Sequence, residues 1–303
     1  MFRLLSKEST IFSVPLYIGF LLVMVATFNL LNFSDLRLLS TIITFVGIAL
    51  GYFCFNAIKL NNLSHLPLFL YTFFIFALYP GNLDIGIAIS LLANSIIIII
   101  LTDVNEETNK KSYVLVGTLV VINYLFLPTT WPLILFVILH IISTSHRIGL
   151  QIFRMVFGAF LALSTYFMII YFLGANSWNA QYLPFYYFKS MTDLSSLFPL
   201  IPIALFLVYA ILDHFNNFNK KSPVSKYKYS FILIFTLSQL ITIIIYMGSN
   251  YEYLLLLALP ISIILSRMLV YLPKYWMREI GLWTIIICLI IFKLNYYLNY
   301  FSI

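Results

Sequence analysis

The sequence predicts an all-α, polytopic bundle of transmembrane helices, and three features of its composition and patterning support this prediction. Hydrophobic residues make up 62% of the 303 residues, whereas charged residues make up only 9%, well below the roughly 25% of soluble domains. Several apolar runs approach the roughly 20 residues that a helix needs to cross the hydrocarbon core of a membrane. These runs are continuous and lack the alternation typical of a transmembrane barrel. We therefore expect a single transmembrane helical domain over residues 1–303.

Apolar segments separated by short polar connectors predict about 11 helices. Their predicted ranges are 11–31, 40–58, 66–78, 85–101, 113–127, 131–144, 152–173, 197–212, 229–247, 253–272 and 280–294. The first run follows the basic residues Arg3 and Lys7, as a signal peptide would. It is too long for one, however, and no small-residue cleavage site follows it, so we expect a signal-anchor helix that stays in the membrane.

Residues 66–144 predict two consecutive hairpins of short helices in the middle of the bundle. The first hairpin turns at Pro80-Gly81, which suits a type II turn because glycine accepts the positive φ that this turn requires. The second turns at residues 127–132, and Pro132 is suited to open the next helix, since a residue in the first helical turn has no intrahelical partner for its N–H. The charged segment 103–111 is expected to connect the two hairpins.

The basic residues predict the orientation of the bundle. With the N-terminus inside, 14 of the 17 lysines and arginines fall in inner segments, and only Arg37, Lys189 and Lys293 fall in outer ones. This asymmetry matches the positive-inside rule and predicts a multi-pass protein of the bacterial cytoplasmic (inner) membrane with a cytoplasmic N-terminus. The net charge of +7 is then explained by topology, so we expect no nucleic-acid partner. The lysines of residues 220–228 either set topology or contact anionic lipid headgroups.

Several patterns argue against particular kinds of site. Cys54 and Cys288 lie in apolar runs without the spacing of a disulfide framework or a metal site. The four histidines fall near the inner face, and none has the spacing of a zinc-binding helix. The sequence thus predicts no metal site and leaves the cofactor unidentified. No acidic or basic residue lies near the centre of a predicted helix, which disfavours an ion-coupled transporter.

The pattern Gly47-Ile-Ala-Leu-Gly51 lies in the second predicted helix. Glycines four residues apart allow two membrane helices to approach closely. The pattern therefore predicts close packing inside the bundle, with a dimer face as the less favoured alternative.

Four acidic residues fall on the predicted outer face, each in a different loop: Asp35, Asp84, Asp193 and Glu252. Carboxylates that converge at one rim can hold a divalent cation or act as a general base. The alternative is that they are solvated loop carboxylates.

The longest predicted loop, residues 174–196, is rich in aromatic residues, among them Trp178, Tyr182 and Tyr186. Such rings either anchor the protein at the membrane interface or stack on a sugar or lipid headgroup. As a binding hypothesis, these three residues together with Asp193 and Glu252 form the predicted substrate-binding set.

The order of the elements resembles the GT-C superfamily of polyprenol-linked-sugar glycosyltransferases. In that family two long helices precede short hairpins, a long helix leads to a large outer loop, and a Leu-rich segment with proline follows. Here Tyr253-Leu-Leu-Leu-Leu-Ala-Leu-Pro260-Ile-Ser-Ile-Ile-Leu looks similar, and Pro80 stands at the first hairpin turn. The resemblance implies Asp35 as the catalytic general base and Asp84 as a second catalytic acid near the metal or donor phosphate. The sequence departs from the pattern in its short first outer segment, residues 32–39, and in Glu252, where the family often has arginine.

The sequence also looks like an uncharacterised family of bacterial integral membrane proteins. The leading functional hypothesis is an inner-membrane protein that binds a lipid-linked sugar at its outer face, with a polyprenyl-phosphate carrier as partner, and transfers the sugar. One alternative is a non-catalytic subunit of a cell-envelope complex with a stable protein partner. Another is a transporter of lipids or solutes.

Overall fold

The computed structural model describes residues 1–7, 12–29, 35–58, 64–81, 83–102, 106–145, 147–174, 195–218 and 222–301. Over these ranges the chain forms helices and no β-strand. The α-helices are α1 Phe2–Leu5, α2 Ser13–Asn29, α3 Asp35–Ile58, α4 His65–Leu78, α5 Ile85–Thr102, α6 Glu106–Phe126, α7 Pro132–Thr144, α8 Ile148–Phe172, α9 Ile201–Asn216, α10 Pro223–Tyr246, α11 Ala258–Tyr271 and α12 Tyr275–Phe301. Three 3-10 helices, Pro128–Thr130, Ser195–Leu200 and Tyr251–Leu257, precede α7, α9 and α11.

Six helical segments are long and apolar enough to cross a membrane. They are Leu38–Phe55, Ile85–Thr102, Ile148–Phe172, Ser195–Asn216, Pro223–Tyr246 and Tyr251–Tyr271. Shorter apolar helices accompany them, including α2, α4 and α7. The chain is therefore a multi-pass membrane protein with an all-α helical bundle, as the sequence predicted.

The eleven predicted helices correspond to α2–α12, but six of them begin earlier than predicted: α3, α4, α6, α8, α10 and α12. α6 begins at Glu106 and includes most of the predicted charged connector. The first helix of the second hairpin therefore has 21 residues and is longer than predicted. Glu106 and Glu107 each precede a lysine by four residues, a spacing that favours helix. α10 begins at Pro223, behind the N-cap Ser222, whose side chain accepts a hydrogen bond from the N–H of Ser225. α3 begins at Asp35.

Contacts between helix termini define two ends of the bundle. At one end, Ser40 of α3 donates a hydrogen bond to the carbonyl of Leu83 (2.7 Å), and Trp131 donates to the hydroxyl of Tyr246 (2.8 Å). We call this the Asp84 end, after the residue that follows Leu83. At the opposite end, Lys228 of α10 donates to the carbonyl of Ala57 near the end of α3 (3.0 Å). We call this the Arg267 end, after a buried residue of α11.

Glycines allow the helices to pack closely. A Cβ at Gly47 would lie 2.8 Å from the backbone nitrogen of Leu92 in α5, and one at Gly51 would overlap the Tyr71 hydroxyl. The Gly47–Gly51 pattern thus packs inside the bundle, as predicted. Gly117 and Gly158 bring α6 and α8 together in the same way, since a Cβ at Gly158 would lie 1.9 Å from the Val114 carbonyl oxygen.

In the first hairpin turn, the glycine takes the positive φ that the sequence predicts. Gly81 has a φ of 117°, which only glycine adopts readily. Pro132 occupies the first turn of α7, where its missing N–H breaks no intrahelical hydrogen bond. Both turns lie at the Asp84 end. The first turn places the residues between α4 and α5 against α3, where Leu83 contacts Ser40.

Candidate functional site

Two of the predicted site acids meet at the Asp84 end. The backbone N–H of Asp84, just before α5, donates a hydrogen bond to the Glu252 carboxylate (Oε2, 3.1 Å). Glu252 lies in the 3-10 helix that leads into α11, and its own N–H donates to the Asn250 side chain (3.2 Å), which caps this helix. The Asp84 side chain is exposed and Glu252 is half-buried. The fold therefore brings the Glu252 carboxylate to the backbone of Asp84 although 168 residues separate them.

A buried cation lies at the same end. The ammonium group of Lys293, in α12, donates a hydrogen bond to the carbonyl of Tyr79. It also lies 4.9 Å from the centre of the Phe28 ring, a cation–π geometry that attracts an ammonium group electrostatically. The side chain is only 7% exposed. The sequence prediction treated Lys293 as a topology residue and missed it as a site residue. The signal was a lysine at the end of an apolar run, since ionisable residues within membrane helices tend to be functional.

Tyr79 connects the helix ends at this site. Its hydroxyl accepts a hydrogen bond from the Asn29 side chain at the end of α2 (2.6 Å). Its ring lies 6.0 Å from that of Phe28 in an edge-to-face arrangement, a favoured geometry for aromatic pairs. The carbonyl of the same residue holds Lys293. Tyr79 thus fixes the end of α2 and the Lys293 ammonium relative to the α4–α5 turn.

An apolar crevice of about 440 Å³ runs between α2 and α4. It is lined by Leu16, Tyr17, Phe20, Phe69, Thr72, Phe73 and Phe76. Leu16 and Phe20 are exposed, so the crevice opens on the lateral surface of the bundle. Its volume falls within the roughly 300–1,000 Å³ of small-molecule sites, and its apolar lining suits a hydrocarbon chain.

Aromatic contacts join the crevice to the buried cation. Phe76 lines the crevice and lies 6.2 Å from Phe28, measured between ring centres. Phe28 in turn packs under the Lys293 ammonium. The Phe28 ring therefore lies between the charged group of Lys293 and Phe76 in the crevice wall. This arrangement suits an amphiphile.

The structure describes the backbone of one other predicted site residue, Asp35, but not the residues of the aromatic loop. Asp35 is the first residue of α3, five residues before Ser40, whose hydroxyl contacts the carbonyl of Leu83. Asp35 thus opens the helix that packs beside the Asp84 turn, although its side chain lies outside the described residues. The four predicted residues of the aromatic loop also lie outside the described residues: Trp178, Tyr182, Tyr186 and Asp193.

A second, much smaller cavity lies inside the bundle. It has a volume of about 10 Å³ and is lined by residues of α4, α5, α10, α11 and the 3-10 helix before α11, among them Tyr71, Asn94 and Phe235. Asn94 is buried, and neither its amide nitrogen nor its amide oxygen has a hydrogen-bond partner. The cavity has room for about one water molecule and is too small for a substrate.

The described part of the chain contains no group of three or more His, Cys, Asp or Glu side chains placed to hold a metal ion. The described histidines pack among aromatic rings instead: His140 lies 5.2 Å from Phe231, and His214 lies 4.4 Å from Tyr229, between ring centres. At the Asp84 end the site therefore offers two carboxylates, one ammonium group and an apolar crevice.

The chain belongs to DUF6427, a family of unknown function whose model matches residues 1–301. This match includes every helix described above and agrees with the expected likeness to an uncharacterised family. No curated protein and no solved structure matches the chain. The likeness to GT-C glycosyltransferases therefore remains a prediction from the sequence motifs.

Proposed function

We propose that this protein binds a lipid whose headgroup carries a phosphate and hydroxyl groups, such as a polyprenyl-phosphate-linked sugar, at the Asp84 end of the bundle. The hydrocarbon chain lies in the crevice between α2 and α4, and the headgroup lies near Lys293, Asp84 and Glu252. The observation that carries this proposal is the contact series from the Lys293 ammonium through Phe28 to Phe76 in the crevice wall.

The chemistry of each part supports this ligand class. An ammonium group attracts a phosphate, and a charge-assisted hydrogen bond between them is stronger than a neutral one. Carboxylates such as Asp84 and Glu252 accept hydrogen bonds from sugar hydroxyls. The crevice wall carries aromatic side chains at Phe69, Phe73 and Phe76, which bury apolar surface of the chain.

The finer proposal is that the bound sugar is transferred to an acceptor, as in the GT-C enzymes that the sequence resembles. Asp35 then acts as the general base that takes the proton of the acceptor hydroxyl, and Asp84 is the second acid near the donor phosphate. In this proposal the protein lies in a bacterial cytoplasmic membrane, with its N-terminus in the cytoplasm and the Asp84 end on the outer side.

Native mass spectrometry of the gently solubilised protein tests the binding proposal first. We expect a retained polyprenyl-phosphate species. Added polyprenyl phosphate should bind at least tenfold more tightly than the corresponding polyprenol, because the alcohol lacks the charge that Lys293 attracts. Lys293→Met should remove this difference. Equal binding of both lipids to the wild-type protein would contradict the proposal.

A crevice variant tests the chain-binding part without touching the charged residues. Leu16 lines the crevice and is exposed, so Leu16→Trp should fill it at little cost to folding and weaken binding about tenfold. Leu22→Trp is the matched control, because Leu22 is also exposed on α2 but does not line the crevice. Once binding is established, Asp35→Asn should abolish sugar transfer while leaving lipid retention unchanged.

A second candidate function, a non-catalytic subunit of an envelope complex, is favoured by a different observation. Only three of the 25 residues of α8 are buried in the bundle, and its exposed side includes Phe153, Phe160 and Tyr171. Exposed apolar surface is normal where a helix faces lipid, but it also suits a partner helix. This function predicts a stoichiometric protein partner, without bound polyprenyl phosphate, in the same mass-spectrometry experiment.

A further inference from the structure

Arg267 is a buried cation near the opposite end of the bundle. It lies in α11 and is only 3% exposed. One guanidinium nitrogen, Nη2, donates a hydrogen bond to the Ser225 hydroxyl in the first turn of α10 (2.8 Å). The guanidinium also lies over two tyrosine rings, 4.7 Å from the centre of Tyr229 and 5.5 Å from that of Tyr271. Arg267 is therefore held in one place against the N-terminus of α10.

The second terminal nitrogen of the guanidinium, Nη1, is buried and has no hydrogen-bond partner. Within the described ranges, no carboxylate forms an ion pair with Arg267. A buried charge without a partner is strongly unfavourable. The tyrosine rings offset part of this cost, but they do not supply an acceptor in the plane of the guanidinium, where its N–H groups point.

The surroundings of Arg267 carry further positive charge. Lys228 is buried one turn after Ser225 in α10, and Lys226 lies over the Phe218 ring at 4.8 Å. The N-terminus of a 24-residue helix such as α10 adds the positive end of its dipole. Asp213 supplies a carboxylate near Tyr229, and this carboxylate accepts a hydrogen bond from Asn217 (2.8 Å). Cations therefore outnumber carboxylates among the described residues at this end.

We propose that Arg267 and the first turn of α10 form a binding site for a phosphate group, separate from the site at the Asp84 end. Nη1 of Arg267 and the Ser225 hydroxyl bind its oxygens, and Lys226 and Lys228 attract it electrostatically. A phosphate suits a guanidinium because its oxygens match the planar arrangement of the N–H donors. The N–H of Ser225 is already used by Ser222, so side chains provide the donors rather than the helix backbone.

The same phosphate chemistry is available from an anionic lipid headgroup and from a free phosphate anion, and one experiment separates these sources. The first comparison measures the melting temperature of the full-length protein in neutral detergent, with inorganic phosphate against chloride at equal ionic strength. The second measures it in nanodiscs of phosphatidylglycerol against phosphatidylcholine. We expect phosphate or phosphatidylglycerol to raise the melting temperature by about 3 °C, as a ligand that binds only the folded state does.

Arg267→Gln should abolish this rise. Arg278→Gln is the matched control: it removes the same charge from a residue in the first turn of α12, whose guanidinium donates to the carbonyl of Leu272 (2.7 Å). A rise with inorganic phosphate identifies a free anion, and a rise only with phosphatidylglycerol identifies a lipid headgroup. No rise in the wild-type protein, or an equal rise in Arg267→Gln, would overturn the proposal.

A second variant keeps the test decisive if Arg267→Gln does not fold. Arg267→Lys retains the positive charge that the tyrosine rings stabilise but replaces the planar donors by a single ammonium group. It should fold and reduce the affinity for phosphate at least threefold. The preference for polyprenyl phosphate over polyprenol is tested with Lys293→Met and the phosphate response with Arg267→Gln, so failure of the lipid-binding proposal can be distinguished from failure of this one.

Discussion

The two helices α8 and α11 belong to candidate membrane spans of similar length and hydropathy, yet they occupy opposite environments. In the span Ile148–Phe172, which is α8, 3 of the 25 residues are buried, whereas in the span Tyr251–Tyr271, which contains α11, 17 of the 21 residues are buried. In a membrane, lipid tails are as apolar as leucine, so hydropathy does not determine whether a helix faces lipid or protein. Features other than hydropathy therefore decide which helix lies in the centre of the bundle.

Both helices contain small and polar residues, but their positions differ: Ser164 and Thr165 of α8 are exposed. In α11, Ser262 and Ser266 donate hydrogen bonds to the carbonyls of Leu259 and Ile263, and Arg267 is buried near the end. α8 contacts α6 through one narrow stripe around Met155 and Gly158. The central span also carries Glu252 and Arg267 at its two ends, so it links both proposed binding sites, whereas α8 touches neither.

The largest expected effect concerns the stripe by which α8 joins the bundle. Gly158→Ala should destabilise the protein by about 3 kcal/mol, because the new methyl group would overlap the Val114 carbonyl and push α8 away from α6. Gly149→Ala is the control in the same helix, since nothing lies within 4 Å of its Cβ position. It should be neutral or stabilising by up to about 1 kcal/mol. Unfolding by SDS in mixed micelles measures both, and equal stabilities would contradict the described packing.

Leucine truncation compares the two environments directly. Leu265 in α11 is fully buried, whereas Leu161 in α8 is 44% exposed. Leu265→Ala should cost about 2 kcal/mol, because it leaves a cavity among packed side chains. Leu161→Ala should change the free energy of unfolding by less than about 0.5 kcal/mol, since lipid fills the space. The same unfolding assay gives both values, and a large loss in Leu161→Ala would indicate that α8 packs against a partner.

The smallest expected effect concerns the unpaired amide that faces the central span. Asn94 borders the small cavity together with Leu255 and Leu259, and its amide atoms have no partner. Asn94→Leu should therefore stabilise the protein by about 1 kcal/mol, because it removes an unsatisfied polar group. Ser90→Ala, one turn earlier in α5, should destabilise it by about 0.6 kcal/mol, since its hydroxyl donates to Asn123. Loss of stability in Asn94→Leu would indicate that an ordered water satisfies the amide.

Sequence patterns predicted the helices better than their ends. Apolar runs located α2–α12, because each run must bury its backbone hydrogen bonds within a helix to enter a membrane. The early starts of α6 and α10 were missed, since hydropathy does not register the Glu–Lys spacing or the Ser222-Pro223 cap that extend these helices into polar segments. For the candidate site, the sequence singled out Asp84 and Glu252, which the structure places in contact, but their roles remain predictions, and the buried position of Lys293 was not foreseen.

By itself the sequence determined the all-α class, the order of the helices and the proline- and glycine-containing turns, because these follow from local hydrophobicity and backbone chemistry. Only the tertiary structure decided which helices face lipid and which residues meet across the bundle. Glu252 contacts Asp84 from a distant part of the chain, and Arg267 is buried against Ser225. Such pairings depend on close packing of small residues and on long-range contacts, which have no local signature in an almost uniformly apolar sequence.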